Sequence, residues 1–165
     1  MSLIDDLLKR NAAYAEGFGA GELEAPPALA LAVVACMDAR LDVHRILGLR
    51  EGEAHVIRNA GGVVTDEVIR SLTISQHKLG TREVILIHHT RCGMEGLDEE
   101  AFGSELDERA GGAARGWSIA AFEDVEQSVR ASVERLRESP FMLHTDAIRG
   151  FVYEVETGRL REVPA

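Results

Sequence analysis

The chain has two cysteines, and each stands where an apolar run gives way to a cluster of polar side chains. Ala28–Ala35 runs into Cys36-Met37-Asp38-Ala39-Arg40, and Val84–Ile87 runs into His88-His89-Thr90-Arg91-Cys92-Gly93. Cys36, His89 and Cys92 offer two thiolates and one imidazole, donors suited to a zinc ion that keeps one position open. In an extended chain alternate residues share a face, so Cys36, Asp38 and Arg40 are expected to project together. Arg40 can then hold Asp38 in a bidentate, charge-assisted pair that keeps the carboxylate off the metal. Spacing alone does not oblige the two cassettes to meet. Two inert core thiols or one disulfide would also account for the cysteines.

The elements around the cassettes follow from periodicity. Leu3 to Glu16 reads as an amphipathic helix, with Leu3/Leu7 and Ile4/Leu8 each four apart. Gly17-Phe18-Gly19-Ala20-Gly21 breaks it, and Pro26-Pro27 sets an extended entry into a strand over Leu29–Cys36. That strand is apolar without alternation, the pattern of a parallel strand covered on both faces. Further strands are expected at Glu53–Arg58 and Glu83–His88. Between them Thr65 caps a helix whose first turn holds Asp66 and Glu67. Gly111–Gly116 reads as a surface loop, and Val125, Val129, Val133 and Leu136 mark a helix ending before Pro140. Residues 150–155 and 159–163 bracket Thr157-Gly158 as a hairpin. The expected fold is α/β, a mostly parallel central sheet flanked by helices, with the hairpin adding an antiparallel edge strand. Residues 1–27 form an N-terminal helical arm and 28–165 the α/β core. The cassettes then lie at the carboxyl edge of the sheet, where open α/β sheets bind ligands.

Composition narrows the function classes. A net charge of −10 over 165 residues argues against nucleic acid as a partner. No apolar run is long enough to span a bilayer, and the N-terminus lacks the features of a secretory signal. The expected setting is cytoplasmic, with reduced cysteines.

Taken together, Cys-x-Asp-x-Arg, Val56-Ile57-Arg58-Asn59-Ala60-Gly61-Gly62, the helix-like segment from Thr65 to Gly80 and His-x-x-Cys resemble the β-class carbonic anhydrases. The resemblance is specific from Leu29 to Gly93, and the short chain with its early helix is similar to a compact bacterial branch. It implies one zinc per chain on Cys36, His89 and Cys92, and reversible hydration of carbon dioxide to bicarbonate. The nucleophile it implies is zinc-bound hydroxide, oriented by Asp38 and Arg40. Both open members of that family and closed ones, with this aspartate on the metal, are implied for Asp38. Gly61, Gly62 and Gly93 would bring backbone N–H groups towards substrate or metal sulfur, with Gly62 and Gly93 as substrate contacts. The family also implies self-association as a homodimer or tetramer, the arm lying over the partner subunit. Arg58 falls where bicarbonate-regulated members use an arginine in a second anion pocket. Val33 and His77 replace the tryptophan and tyrosine of that pocket, which argues against such regulation.

Other readings stay open at this point. A carbonyl sulfide hydrolase would use the same zinc ligands, and a noncatalytic zinc or anion-binding protein would need neither Asp38 nor Arg40. His88, next to the proposed ligand, should point the other way into a core or interface. His44, His55 and His144 read as surface residues, with proton shuttling the alternative. Trp117 and Phe141 read as packing residues, and Asp98-Glu99-Glu100 as a solvated helix start.

Overall fold

The computed structural model describes residues 2–112 and 117–165. Its centre is a five-stranded sheet ordered β2-β1-β3-β4-β5, formed by β1 (Leu31–Cys36), β2 (Ala54–Asn59), β3 (Glu83–His89), β4 (Ile148–Glu154) and β5 (Arg159–Val163). The pairings β1·β2, β1·β3 and β3·β4 are parallel, and β4·β5 is antiparallel, as the hairpin pattern requires. The chain turns from β4 to β5 through Gly158, whose φ of +75° suits a residue without a Cβ.

Each face of the sheet has its own core. Ala32 and Val34 of β1 and Leu86 of β3 pack with Val68 and Leu72 of α3 (Asp66–Leu79) and Val133 and Leu136 of α5 (Val125–Glu138). Val33, Ala35 and Ile87 turn to the opposite face, against Leu41 and against Val43 of α2 (Val43–Leu47). Residues 32–35 are all fully buried, so the unbroken apolar run of β1 reflects a strand covered on both sides. Thr65 caps α3 through a hydrogen bond from the Val68 N–H to its hydroxyl, and Gly80 ends the helix in a left-handed conformation.

The remaining helices are α1 (Leu3–Glu16) and α4 (Glu99–Arg109). Ser2 and Asp5 form a reciprocal capping box on α1, yet no residue of this helix is buried; Leu3 is 71% and Ile4 68% exposed. Asp98 caps α4, and Glu99 accepts the N–H groups of Ile119 and Ala120, so the acidic start also ties down the following loop. Among the described residues no helix is long and apolar enough to cross a membrane.

Two local expectations change, and a third lies largely outside the described residues. The first strand begins at Leu31 rather than Leu29, because Ala30 takes a left-handed φ of +51°. Trp117 and Phe141 are 65% and 62% exposed and pack into no core of this chain. Of the loop expected at 111–116, residues 113–116 lie outside the described residues; Gly111 and Gly112 both have positive φ.

Candidate metal centre

β1 and β3 are neighbours, but β1 connects onward to β2 on one side and β3 to β4 on the other. Their carboxyl ends therefore open a crevice at the topological switch point. Cys36 is the last residue of β1 and His89 the last of β3. Cys92 follows on the turn after β3. The ligand atoms of Cys36, His89 and Cys92 lie within 4.8 Å of one another, and all three residues are buried. The two sulfurs are 3.9 Å apart.

The donor chemistry fits a metal cation. Nδ1 of His89 donates to the Thr90 carbonyl at 2.9 Å, which leaves the lone pair of the neutral ring on Nε2. Nε2 is buried and has no hydrogen-bond partner among the described residues. An orphaned acceptor beside two thiols is costly unless something electropositive sits there. The thiols themselves titrate apart. Hydrogen bonding from Cys92 pulls Cys36 well below the ordinary thiol range against the opposing effect of burial, and N–H groups of Asp38 and Gly61 also point at its sulfur. The same contact, with burial added, pushes Cys92 far up. Two buried sulfurs 3.9 Å apart resist ionising together, and a dication is what would allow both to do so.

Asp38 and Arg40 reach the centre by a route other than strand alternation. β1 stops at Cys36, where the Met37 N–H makes a last bond to the Asn59 carbonyl. Oδ1 of Asp38 then accepts the N–H of Arg40 at 2.9 Å, and the Asp38 carbonyl accepts that of Leu41 at 3.0 Å. This aspartate-headed turn folds Arg40 back onto the carboxylate, Nε to Oδ1 at 2.9 Å and Nη2 to Oδ2 at 2.7 Å. These bonds hold the Asp38 carboxyl well below the usual carboxylate range. Oδ2 lies 3.8 Å from Nε2 of His89, so the paired carboxylate borders the donor set.

Of the three glycines, Gly61 brings its N–H to the Cys36 sulfur, as expected. Gly62 has a φ of +71°, and a Cβ there would stand 2.8 Å from the Cys36 nitrogen and 2.9 Å from the Ile87 carbonyl oxygen. Its role is close approach, wedging the turn of residues 60–62 between the ends of β1 and β3. Nothing crowds a Cβ at Gly93, and Met94, two residues after Cys92, supplies the N–H to that sulfur. The same offset places the Asp38 N–H on Cys36.

The other expected residues find separate places. His88 is fully buried, with Nε2 donating to the Gly62 carbonyl at 3.1 Å and Phe122 packed alongside, and burial lowers it to about 4. His55 is tied into the fold rather than idle; its ring bridges the Ser75 hydroxyl at 2.7 Å and the Ala25 carbonyl at 3.2 Å. His44 is exposed on α2, and the backbone of His144 is clasped by the Gln76 amide. Arg58 donates to the carbonyls of Cys36 and Asp38 at 2.7–3.0 Å, which fixes the metal cassette. Val33 is buried in β1, and His77 bonds the Phe141 carbonyl. Sequence reasoning missed Glu156. It lies 66 residues beyond Thr90, and no local spacing pattern ties it to that site.

Comparison with known proteins decides the family. The family model for carbonic anhydrases matches residues 31–160, which includes every residue of the centre. The chain belongs to the β-class carbonic anhydrases. It is 52% identical over 163 residues to β-carbonic anhydrase 1 of Mycobacterium tuberculosis, covering 99% of both chains. Its fold superposes on the crystal structure of carbonic anhydrase from Streptococcus mutans with a TM-score of 0.92, at 42% identity and 99% coverage of each chain. A carbon disulfide hydrolase of Acidithiobacillus thiooxidans is 37% identical over 150 residues, covering 78% of this chain and 74% of that protein. Membership of a β-carbonic anhydrase family and the Cys-His-Cys cluster together support an enzyme of carbon dioxide hydration.

Proposed function

We propose that this β-carbonic anhydrase is a zinc-dependent carbonate dehydratase, with Cys36, His89 and Cys92 as metal ligands and Asp38 and Arg40 as the catalytic pair. The observation that carries the reading is the convergence of three soft donors, one an orphaned imidazole nitrogen, beside a carboxylate already locked by arginine. Zinc held there would supply a Lewis acid that makes water nucleophilic near neutral pH. The net reaction joins carbon dioxide and water into bicarbonate and releases one proton to solvent.

The chain's own residues have separable tasks. Oδ1 of Asp38 accepts both the backbone N–H and Nε of Arg40, whereas Oδ2 accepts only Nη2 and keeps a second lone pair, so Oδ2 can take the O–H of the attacking water and orient it. Arg40 keeps Asp38 from becoming a fourth metal ligand. Arg40 is in turn held by the Arg91 carbonyl at 3.0 Å. The N–H groups on the sulfurs temper the charge of the thiolates without occupying the imidazole lone pair.

We also infer a homodimer, or a multiple of one, because the apolar stripe of α1 has no cover among the described residues. Two unpaired thiols side by side suit a reducing compartment such as the cytoplasm.

The test is stopped-flow hydration of carbon dioxide by the zinc-loaded protein, run beside carbonyl sulfide and carbon disulfide hydrolysis. Fast hydration with slow sulfur chemistry is expected. Preferred turnover of a sulfur analogue would reassign the substrate, and no turnover of any of the three would leave a noncatalytic zinc protein.

A further inference from the structure

We propose that Glu156 is a positioning residue for this centre: through Thr90 and Arg91 it fixes the two backbone carbonyls that orient His89 and Arg40. The inference rests on the assignment of those two side chains given above. Glu156 sits in the turn between β4 and β5, outside both cassettes. Its Oε2 accepts the Thr90 hydroxyl at 2.8 Å, and its Oε1 accepts Nε of Arg91 at 2.7 Å. Thr90 is also tied to β4 and the segment after it, donating its N–H to the Tyr153 carbonyl and accepting the Val155 N–H on its hydroxyl. The carbonyls of these two residues are the ones the centre uses. That of Thr90 receives Nδ1–H of His89, and that of Arg91 receives Nη2–H of Arg40.

Backbone strain gives an independent reason for a clamp. Arg91 has a φ of +54°, a left-handed conformation that costs a residue with a Cβ on the order of 1–2 kcal/mol. Without a tether the peptide would relax and carry its carbonyl away from Arg40. The ion pair itself is exposed, Arg91 to 72%, and such a pair contributes little stability. Its consequence is therefore geometric. Hydrogen bonding from Thr90 keeps Glu156 below the ordinary carboxylate range, so the clamp stays charged near neutrality.

The experiment compares Glu156→Ala and Glu156→Gln in the native and Arg40→Ala backgrounds. Glu156→Ala should lower kcat/KM about tenfold, a usual cost for a lost supporting bond at a metal site. Zinc content and the unfolding midpoint should stay near native, and Glu156→Gln, which can still accept from Thr90, should recover part of the loss. In the Arg40→Ala background the same change should cost less, because one of the two side chains it positions is gone. The cobalt-substituted Glu156→Ala protein should show absorption bands shifted towards those of Arg40→Ala. Equal fold-losses in both backgrounds, or native bands and native kcat/KM in Glu156→Ala, would overturn the proposal. If Glu156→Ala does not fold, Glu156→Gln is read against the same outcomes. A wild type that fails to hydrate carbon dioxide would sink the assigned reaction, while the cobalt bands would still report on Glu156.

Discussion

At the scale of single residues, the proposed roles divide metal holding from catalysis, and each can be tested apart from the other. Cys92→Ser removes a thiolate that a hydroxyl replaces poorly, so metal analysis should show most of the zinc lost. Arg40→Ala should leave the zinc in place while kcat/KM falls on the order of 100-fold or more, since Asp38 is freed to bind the metal. Near-native activity with zinc retained would reduce the pair to a surface salt bridge. His88 gives a pH signature. Burial lowers it to about 4 from an ordinary value near 6.5, so the folded chain binds fewer protons than the unfolded one between those limits. Stability should be full above pH 6.5 and fall by about 3 kcal/mol as the pH drops to 4. Urea midpoints across that window should fall less for His88→Gln at matched zinc occupancy. An equal fall would assign the acid sensitivity elsewhere. The meeting of Cys36, His89 and Cys92 beside the Asp38–Arg40 pair was legible in the sequence because each cassette ends a buried strand at the same edge of the sheet. Glu156 was not, because hydrogen bonds between a hairpin turn and a distant strand end leave no spacing pattern.

At the scale of elements, apolar runs and caps located the strands and helices, whereas strand ends depended on chemistry beyond periodicity. β1 ends at Cys36 because Asp38 captures the Arg40 N–H. The alternation rule therefore placed three side chains together for the wrong reason. Gly62 is the most demanding position between elements, since a Cβ would strike backbone atoms of both β1 and β3. Gly62→Ala should cost about 3 kcal/mol, from left-handed strain and overpacking against groups that cannot rotate away. Chemical denaturation would measure it, and a change below 0.5 kcal/mol, within the usual range for surface substitutions, would show that the turn can move. Arg58 is spent on the carbonyls of Cys36 and Asp38. Bicarbonate should therefore inhibit only as a product, with no sigmoidal component in steady-state kinetics that Arg58→Ala removes.

At the scale of the whole molecule, the exposed stripe of α1 is the feature a single chain leaves unexplained. Light scattering should report a dimer or a multiple of it at micromolar concentration, and a monomer with α1 intact would count against the assembly. Leu3→Asp with Leu7→Asp should shift that equilibrium towards the monomer without unfolding the sheet. The Gly62 wedge has a different consequence, for how the molecule comes apart. Its carbonyl takes the His88 ring, its Cα lies against β1, and the Cys36 carbonyl holds Arg58, so the donor set and the centre of the sheet form one cooperative block. Such a block has no melting point of its own. Amide protons at Cys36 and His88 should exchange only through global opening, while those of α1 exchange first by fraying. Heat would then silence the enzyme and unfold it in a single event.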